Sequence, residues 1–138
     1  MKILQWLAVA IAVALQLSCG DAFEEGPSGD PACAQVGPTC DKLPWCCPAS
    51  QTCWINSAGS AFSCHNAGQG QAGASCLNYL GSATCGPGLA CYQLSGQAEG
   101  VCSPYCSSSD PNHACPNSAT CMPLLDQEIN VTYYVCQP

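Results

Sequence analysis

Basic side chains are almost missing from this sequence. Of its 138 residues two are Lys or Arg against nine Asp or Glu, for a formal net charge of −7. One of the two is Lys2, so Lys42 is the single Lys or Arg in the rest of the chain. A surface of this sign repels phosphate backbones and anionic headgroups. That excludes nucleic acid as a partner, and membrane-disrupting cationic peptides as a class. Bulky aliphatics are scarce as well. From Cys19 onward there are seven Leu, four Val, two Ile and two Phe in 120 residues, too few for a conventional core. Histidine is limited to His65 and His113, both in polar, turn-like settings. The carboxylates Asp41, Glu99, Asp110, Asp126 and Glu128 are scattered, with no two recognisable as an acid–base pair. The sequence is therefore expected to be no enzyme.

Long apolar runs are absent beyond the first residues. The one run, residues 3–17, is interrupted by Gln5 and Gln16. It is too short for a membrane span, and its position behind Lys2 marks it as the apolar part of a secretory signal, residues 1–18. Two processing routes remain open. Gln16-Leu17-Ser18-Cys19 resembles a bacterial lipobox, which implies a lipid on Cys19 and a membrane as partner. Alternatively, a signal peptidase cuts after Ala22, behind the small residues of Gly20-Asp21-Ala22. In the first route residues 19–32, rich in Glu, Gly and Pro, form a flexible tether behind the lipid.

Cysteine is what the chain has in abundance. There are fifteen, and setting Cys19 aside leaves fourteen, enough for seven bridges. Cys47 to Cys53, Cys85 to Cys91 and Cys115 to Cys121 each enclose five residues, and a further cysteine follows at Cys64, Cys102 and Cys136. Another precedes each step at Cys40, Cys76 and Cys106, and the first stretch adds Cys33 and Cys46. At this density in an exported chain, cysteines form a disulfide scaffold. Each bridge stabilises by ~2–4 kcal/mol, which substitutes for the missing apolar burial. The close spacing of zinc-ligand pairs is approached only by Cys102 and Cys106, so no metal or other cofactor is expected.

Residues 33–64, with adjacent third and fourth cysteines, resemble the knottin family, and Cys46-Cys47-Pro48 through Thr52-Cys53 is also similar to half of a granulin repeat. The knottin resemblance implies Cys33–Cys47, Cys40–Cys53 and Cys46–Cys64. Spacing alone leaves open whether Cys64 takes Cys46 or Cys47. Residues 76–102, with Gly88 midway in Cys85-Gly86-Pro87-Gly88-Leu89-Ala90-Cys91, resemble the disulfide-directed β-hairpin family. That resemblance implies Cys76–Cys91 and Cys85–Cys102. The same forward-and-back scheme over residues 103–138 pairs Cys106–Cys121 and Cys115–Cys136. Ser50 and Ser118 stand where Gly88 stands. Strands are expected over residues 52–56, 61–64, 89–94, 100–102 and, most strongly, 131–135, with Pro123 marking an edge. Residues 65–75, made of Gly, Gln, Ala and other small or polar side chains, read as a flexible linker that lets residues 33–64 fold on their own. The expected fold is small, disulfide-rich and all-β: one knottin-like module followed by two disulfide-directed β-hairpin modules.

Trp45, Trp54 and Tyr92 are among the rings that adjoin framework cysteines. Such rings cover bridges and form a miniature core. Trp45, Trp54, Phe62 and Tyr92 are also the candidate contact surface for a protein or glycan ligand. Asn130-Val131-Thr132 matches the N-glycosylation triplet, which has meaning only in a eukaryotic host. The signal, the Cys-Gly-Asp start and the tandem modules are similar to cysteine-rich lipoproteins of myxobacteria. The resemblance implies a non-enzymatic lipoprotein of the outer membrane or cell surface, acting as a binding or surface-structural module. The alternative is a secreted knottin-type effector, a protease inhibitor or toxin-like protein, with Lys42 as its one candidate key residue.

Overall fold

A computed structural model describes Cys33, residues 37–94 and residues 96–138. The expected signal, Cys19 and the tether lie outside the described residues. Seven strands follow in order: β1 (Gln51–Ile55), β2 (Phe62–Asn66), β3 (Ser75–Cys76), β4 (Leu89–Tyr92), β5 (Gly100–Pro104), β6 (Thr120–Asp126) and β7 (Val131–Gln137). They form three small antiparallel sheets, β1-β2, β3-β5-β4 and β6-β7. Seven disulfides join the fourteen described cysteines, so the protein is small, all-β and disulfide-rich. No helix among the described residues is long and apolar enough to cross a membrane.

The repeated cysteine step folds the same way three times. Within each step the first residue's carbonyl accepts from the fourth residue's N–H: Pro48 from Gln51 at 2.7 Å, Gly86 from Leu89 at 3.2 Å, Pro116 from Ala119 at 3.1 Å. The three turns reach this closure with different residues. Gly88 is left-handed, φ 69°, behind Pro87, the pattern of a type II turn. In the third module both Asn117 (φ 52°) and Ser118 (φ 63°) are left-handed, as type I′ requires. Each turn delivers the chain into a strand whose cysteine faces the module's last one: Cys53 opposite Cys64, Cys91 opposite Cys102, Cys121 opposite Cys136.

Facing cysteines do not bond to each other; each reaches a cysteine outside the two-stranded ladder. The first strand's cysteine bridges back, in Cys40–Cys53, Cys76–Cys91 and Cys106–Cys121, with Cα–Cα distances of 5.7, 5.8 and 5.9 Å. The second strand's bridges to the start of the step, in Cys47–Cys64, Cys85–Cys102 and Cys115–Cys136, at 5.4, 5.5 and 5.4 Å. The expected Cys33–Cys47 and Cys46–Cys64 are not formed; the structure has Cys33–Cys46 and Cys47–Cys64 instead. The cause is local. Cys46 ends a 3₁₀ turn, Pro44–Cys46, and its N–H donates to Leu43 O at 3.0 Å. Cys47 leaves that turn extended (φ −68°, ψ 146°) and is buried, while Cys46 stays half-buried. The inner of the two neighbours therefore meets Cys64. The first module has the pairing of the other two plus one outer staple, not the knottin order.

Residues 65–75 are not a loose linker. His65 and Asn66 belong to β2, and Ser75 to β3. Between them Gly68 N–H donates to Cys85 O at 2.7 Å, Gly70 N–H to Thr84 O at 3.0 Å and Gly73 N–H to Cys102 O at 2.8 Å. A Cβ at Gly68 would lie 2.3 Å from the Thr84 carbonyl oxygen. Glycine is there to let two backbones touch, the role it plays wherever chains approach closely.

The apolar cores are shared too. One cluster joins Cys40, Cys47, Cys53 and Phe62 of the first module to Ala90, Tyr105 and Val135 of the others. A second sets Trp54 on the Cys76–Cys91 and Cys85–Cys102 bridges. Thr52 is fully buried, and its hydroxyl donates to Leu89 O at 2.7 Å across the module boundary. The bridges are modular, but the packing is not.

Candidate functional site

The place where all three hairpins meet is built around Tyr105. It follows β5, its N–H donates to Gly88 O at 3.2 Å, and it forms an isolated bridge with Val135 of β7. Its phenol donates to Cys53 O of β1 at 2.6 Å. One residue thus holds all three modules. Tyr133 of β7 lies edge-on to it, ring centroids 6.1 Å apart, and 5.1 Å from Phe62 of β2. Burial holds the Tyr105 phenol well above its usual value near 10, with the Tyr133 phenol adding to the effect. Burial and then the Asp126 carboxylate push Tyr133 up to about 12. Both rings are neutral at physiological pH.

Trp54 extends this aromatic group. It is 2% exposed, and its indole N–H donates to Tyr79 O at 2.8 Å. That bond, with Gly81 N–H donating to Ile55 O at 2.9 Å, seats the turn over residues 79–82 against β1. These rings, Trp54, Phe62, Tyr105 and Tyr133, line a cleft of about 260 Å³. Its lining also includes the aliphatic Ile55 and Leu80 and the acidic Asp126 and Glu128. The two acidic residues belong to the tip of the β6-β7 hairpin. There the Asp126 carboxylate accepts from Glu128 N–H at 3.0 Å and Ile129 N–H at 3.4 Å, which fixes its direction. Asp126 is half-buried and Glu128 exposed. Lys42, the only Lys or Arg among the described residues, lines a different hollow beside Asp41 and Trp45.

The expected contact residues divide. Trp54 and Phe62 are buried, and Trp45 and Tyr92 are half-buried, so these four do not form one exposed surface. The first two are core because each sits beside a bridge at a module junction. The most exposed large apolar side chains are others: Tyr79 and Leu125 at 55% and Leu80 at 54%, of which Tyr79 and Leu80 are neighbours on one turn. The signal for them was available: Asn78-Tyr79-Leu80-Gly81 puts two large apolar residues in a stretch that reads as a turn. Tyr105, directly before Cys106, is the junction residue that spacing did not single out.

Two further constellations involve the histidines. Trp45 stacks on His113, centroids 4.1 Å apart and planes 19° apart, and His113 lies 3.8 Å from the Asp110 carboxylate. This contact clasps the first module to the third. His65 Nε2 is 2.9 Å from Ser63 Oγ, both on one side of β2. Neither imidazole is an idle surface group. Three sulfur clusters, Cys40-Cys47-Cys53 and its two counterparts, bring Sγ atoms within 4.8 Å of one another. Each of these sulfurs is already committed to a disulfide. A wider, more open trough lies along Gln69, Gly70 and Pro87 and carries no charged or aromatic side chain.

Comparison with known protein families, with curated proteins and with solved structures finds no match.

Proposed function

We propose that this protein is a non-enzymatic, extracytoplasmic binding module, tethered to a membrane by a lipid on Cys19. The observation that carries the reading is the exposed Tyr79–Leu80 turn at the aromatic-lined cleft. A chain short of bulky aliphatics gains stability from every one it buries. Leaving these two outside, on a turn seated by the Trp54 bond, supports their use in contact with a ligand. Seven bridges suit an oxidising compartment, and a scaffold so cross-linked presents its cleft with little entropy to lose on binding. The signal-like residues 1–18 support export, and the lipobox-like approach to Cys19 supports the anchor.

The test has two parts. The intact mass of the mature protein from its own host reports the cleavage site and the acyl chains together; an unmodified chain beginning after residue 22 removes the anchor. Peptide and glycan panels probed with the mature protein and its Leu80→Ser variant report binding. A ligand lost in the variant, with stability unchanged, supports the reading, and no Leu80-dependent ligand defeats it. One observation favours a second reading. Lys42 is exposed on the short loop between Cys40 and the Pro44–Cys46 turn, pinned at both ends by bridges. Inhibition of a trypsin-like protease, abolished by Lys42→Ala, would make the protein an inhibitor.

A further inference from the structure

We propose that the cleft at the three-hairpin junction receives one basic side chain, Lys or Arg, presented by a segment of a partner protein. This inference rests on the binding reading above and specifies the partner's chemistry. The volume limits the occupant. About 260 Å³ lies below the ~300–1,000 Å³ range of pockets for drug-sized molecules, and suits a single extended side chain. The lining selects its kind. The lining holds Ile55, Leu80, Trp54 and Tyr133 for an alkyl stem and Asp126 and Glu128 for a charged end. Long basic side chains combine an apolar stem and a charged head in this way, and aromatic faces attract the same cations.

Charge complementarity sets the sign. No Lys or Arg lines the cleft, so among the described residues both carboxylates lack a basic partner. Asp126 is directed by its own hairpin turn, not by a cation. At net charge −7 the whole molecule also steers a basic partner toward itself and an acidic one away. Leu80, which lines the cleft, and its neighbour Tyr79 are both exposed and offer apolar contact to residues flanking the inserted one, as the centre of a protein interface does.

The experiment uses the intact mature protein and four short peptides that differ only at the central residue: Lys, Arg, norleucine or Glu. Binding is read by NMR at the Trp54 indole N–H and the Leu80 methyls. The Lys or Arg peptide is expected to give saturable shifts there, at least tenfold tighter than norleucine, with no saturation by Glu. The double variant Asp126→Asn, Glu128→Gln keeps the carbonyl oxygen that holds the hairpin turn, so the fold should survive. It is expected to weaken the basic peptides at least tenfold and leave norleucine unchanged. Equal binding of norleucine and Lys, or basic binding untouched by the double variant, would overturn the cation assignment and leave the cleft a ligand site of neutral chemistry. If no peptide moves these resonances, the assignment fails, and the broader reading then rests on the Leu80-dependent panel alone.

Discussion

At the scale of single residues, the side chains that matter most belong to two jobs at once. Trp54 packs on two bridges and also donates its indole N–H to the Tyr79 carbonyl. Trp54→Ala should cost about 3–5 kcal/mol, as large-to-small core changes do. Trp54→Phe should cost about 1–2 kcal/mol, since much volume stays but the hydrogen bond is lost. Guanidinium unfolding checks both; a cost below 1 kcal/mol for the alanine variant would return Trp54 to the contact surface. Ser118 is the opposite case, a residue in a conformation that suits it poorly. Its φ of 63° follows the left-handed Asn117, and Asn-Gly is the preferred pair for such a turn. Ser118→Gly should therefore raise stability, by about 1 kcal/mol before the extra unfolded-state entropy of glycine is subtracted. A destabilised variant would show that the serine side chain contributes more than its backbone costs.

At the scale of elements, the first module contains a built-in comparison. Cys33–Cys46 and Cys40–Cys53 have the same sequence separation, 13. Chain entropy alone would give them the same effect, about 3 kcal/mol each. Their surroundings differ. Cys40 and Cys53 are each 1% exposed and lie in the shared core, whereas Cys33 and Cys46 are half-buried at its edge. Replacing Cys33 and Cys46 by alanine should lower stability by no more than about 3 kcal/mol and leave the other bridges in place. Replacing Cys40 and Cys53 should cost more, because a buried volume is lost with the bond. Equal losses, measured by denaturant unfolding of the oxidised variants, would mean that loop closure is all these bridges supply.

At the scale of the whole molecule, the modules are joined by packing and hydrogen bonds, and among the described residues no disulfide links one module to another. Tyr105 donates to Cys53 O, Thr52 to Leu89 O, Trp54 to Tyr79 O, and Ser103 to Cys136 O. Oxidised alone, residues 33–66 should give poorly dispersed NMR spectra, and adding residues 67–138 should restore dispersion. A well-dispersed fragment by itself would return independence to the first module. The same junction makes the fold sensitive to alkali. Tyr133 is raised from its ordinary value of 10.0 to about 12 and Tyr105 is raised too, so the unfolded chain releases these protons first. Their stabilisation is full below about pH 10 and is lost as pH rises through about 12. The Tyr133 share is about 2–3 kcal/mol, at 1.36 kcal/mol per unit. Tyrosinate absorbance and denaturant unfolding should fall into step over that interval. Stability level from pH 9 to 12 would show that the phenols ionise in place.

What the sequence by itself determined was the local part of this architecture. The repeated five-residue step already carries the closed turn, the strand after it and the bridges within each of the last two modules. All of these depend on contacts close along the chain, which spacing records. The choice between Cys46 and Cys47 does not. The two are neighbours with identical side chains, and only the direction of the Pro44–Cys46 turn decides which one points inward. The glycine-rich stretch between modules misled for a related reason. Glycine permits a flexible link and a tight backbone contact equally well, and the Thr84 carbonyl that excludes a Cβ at Gly68 comes from a distant part of the chain. Tertiary structure likewise decided which aromatic residues are core and which apolar ones stay outside. It also brought Asp126 and Glu128 into the lining of the same cleft as Leu80. They are separated by more than forty residues of sequence, and the physical link between them is the packing of three hairpins around Tyr105.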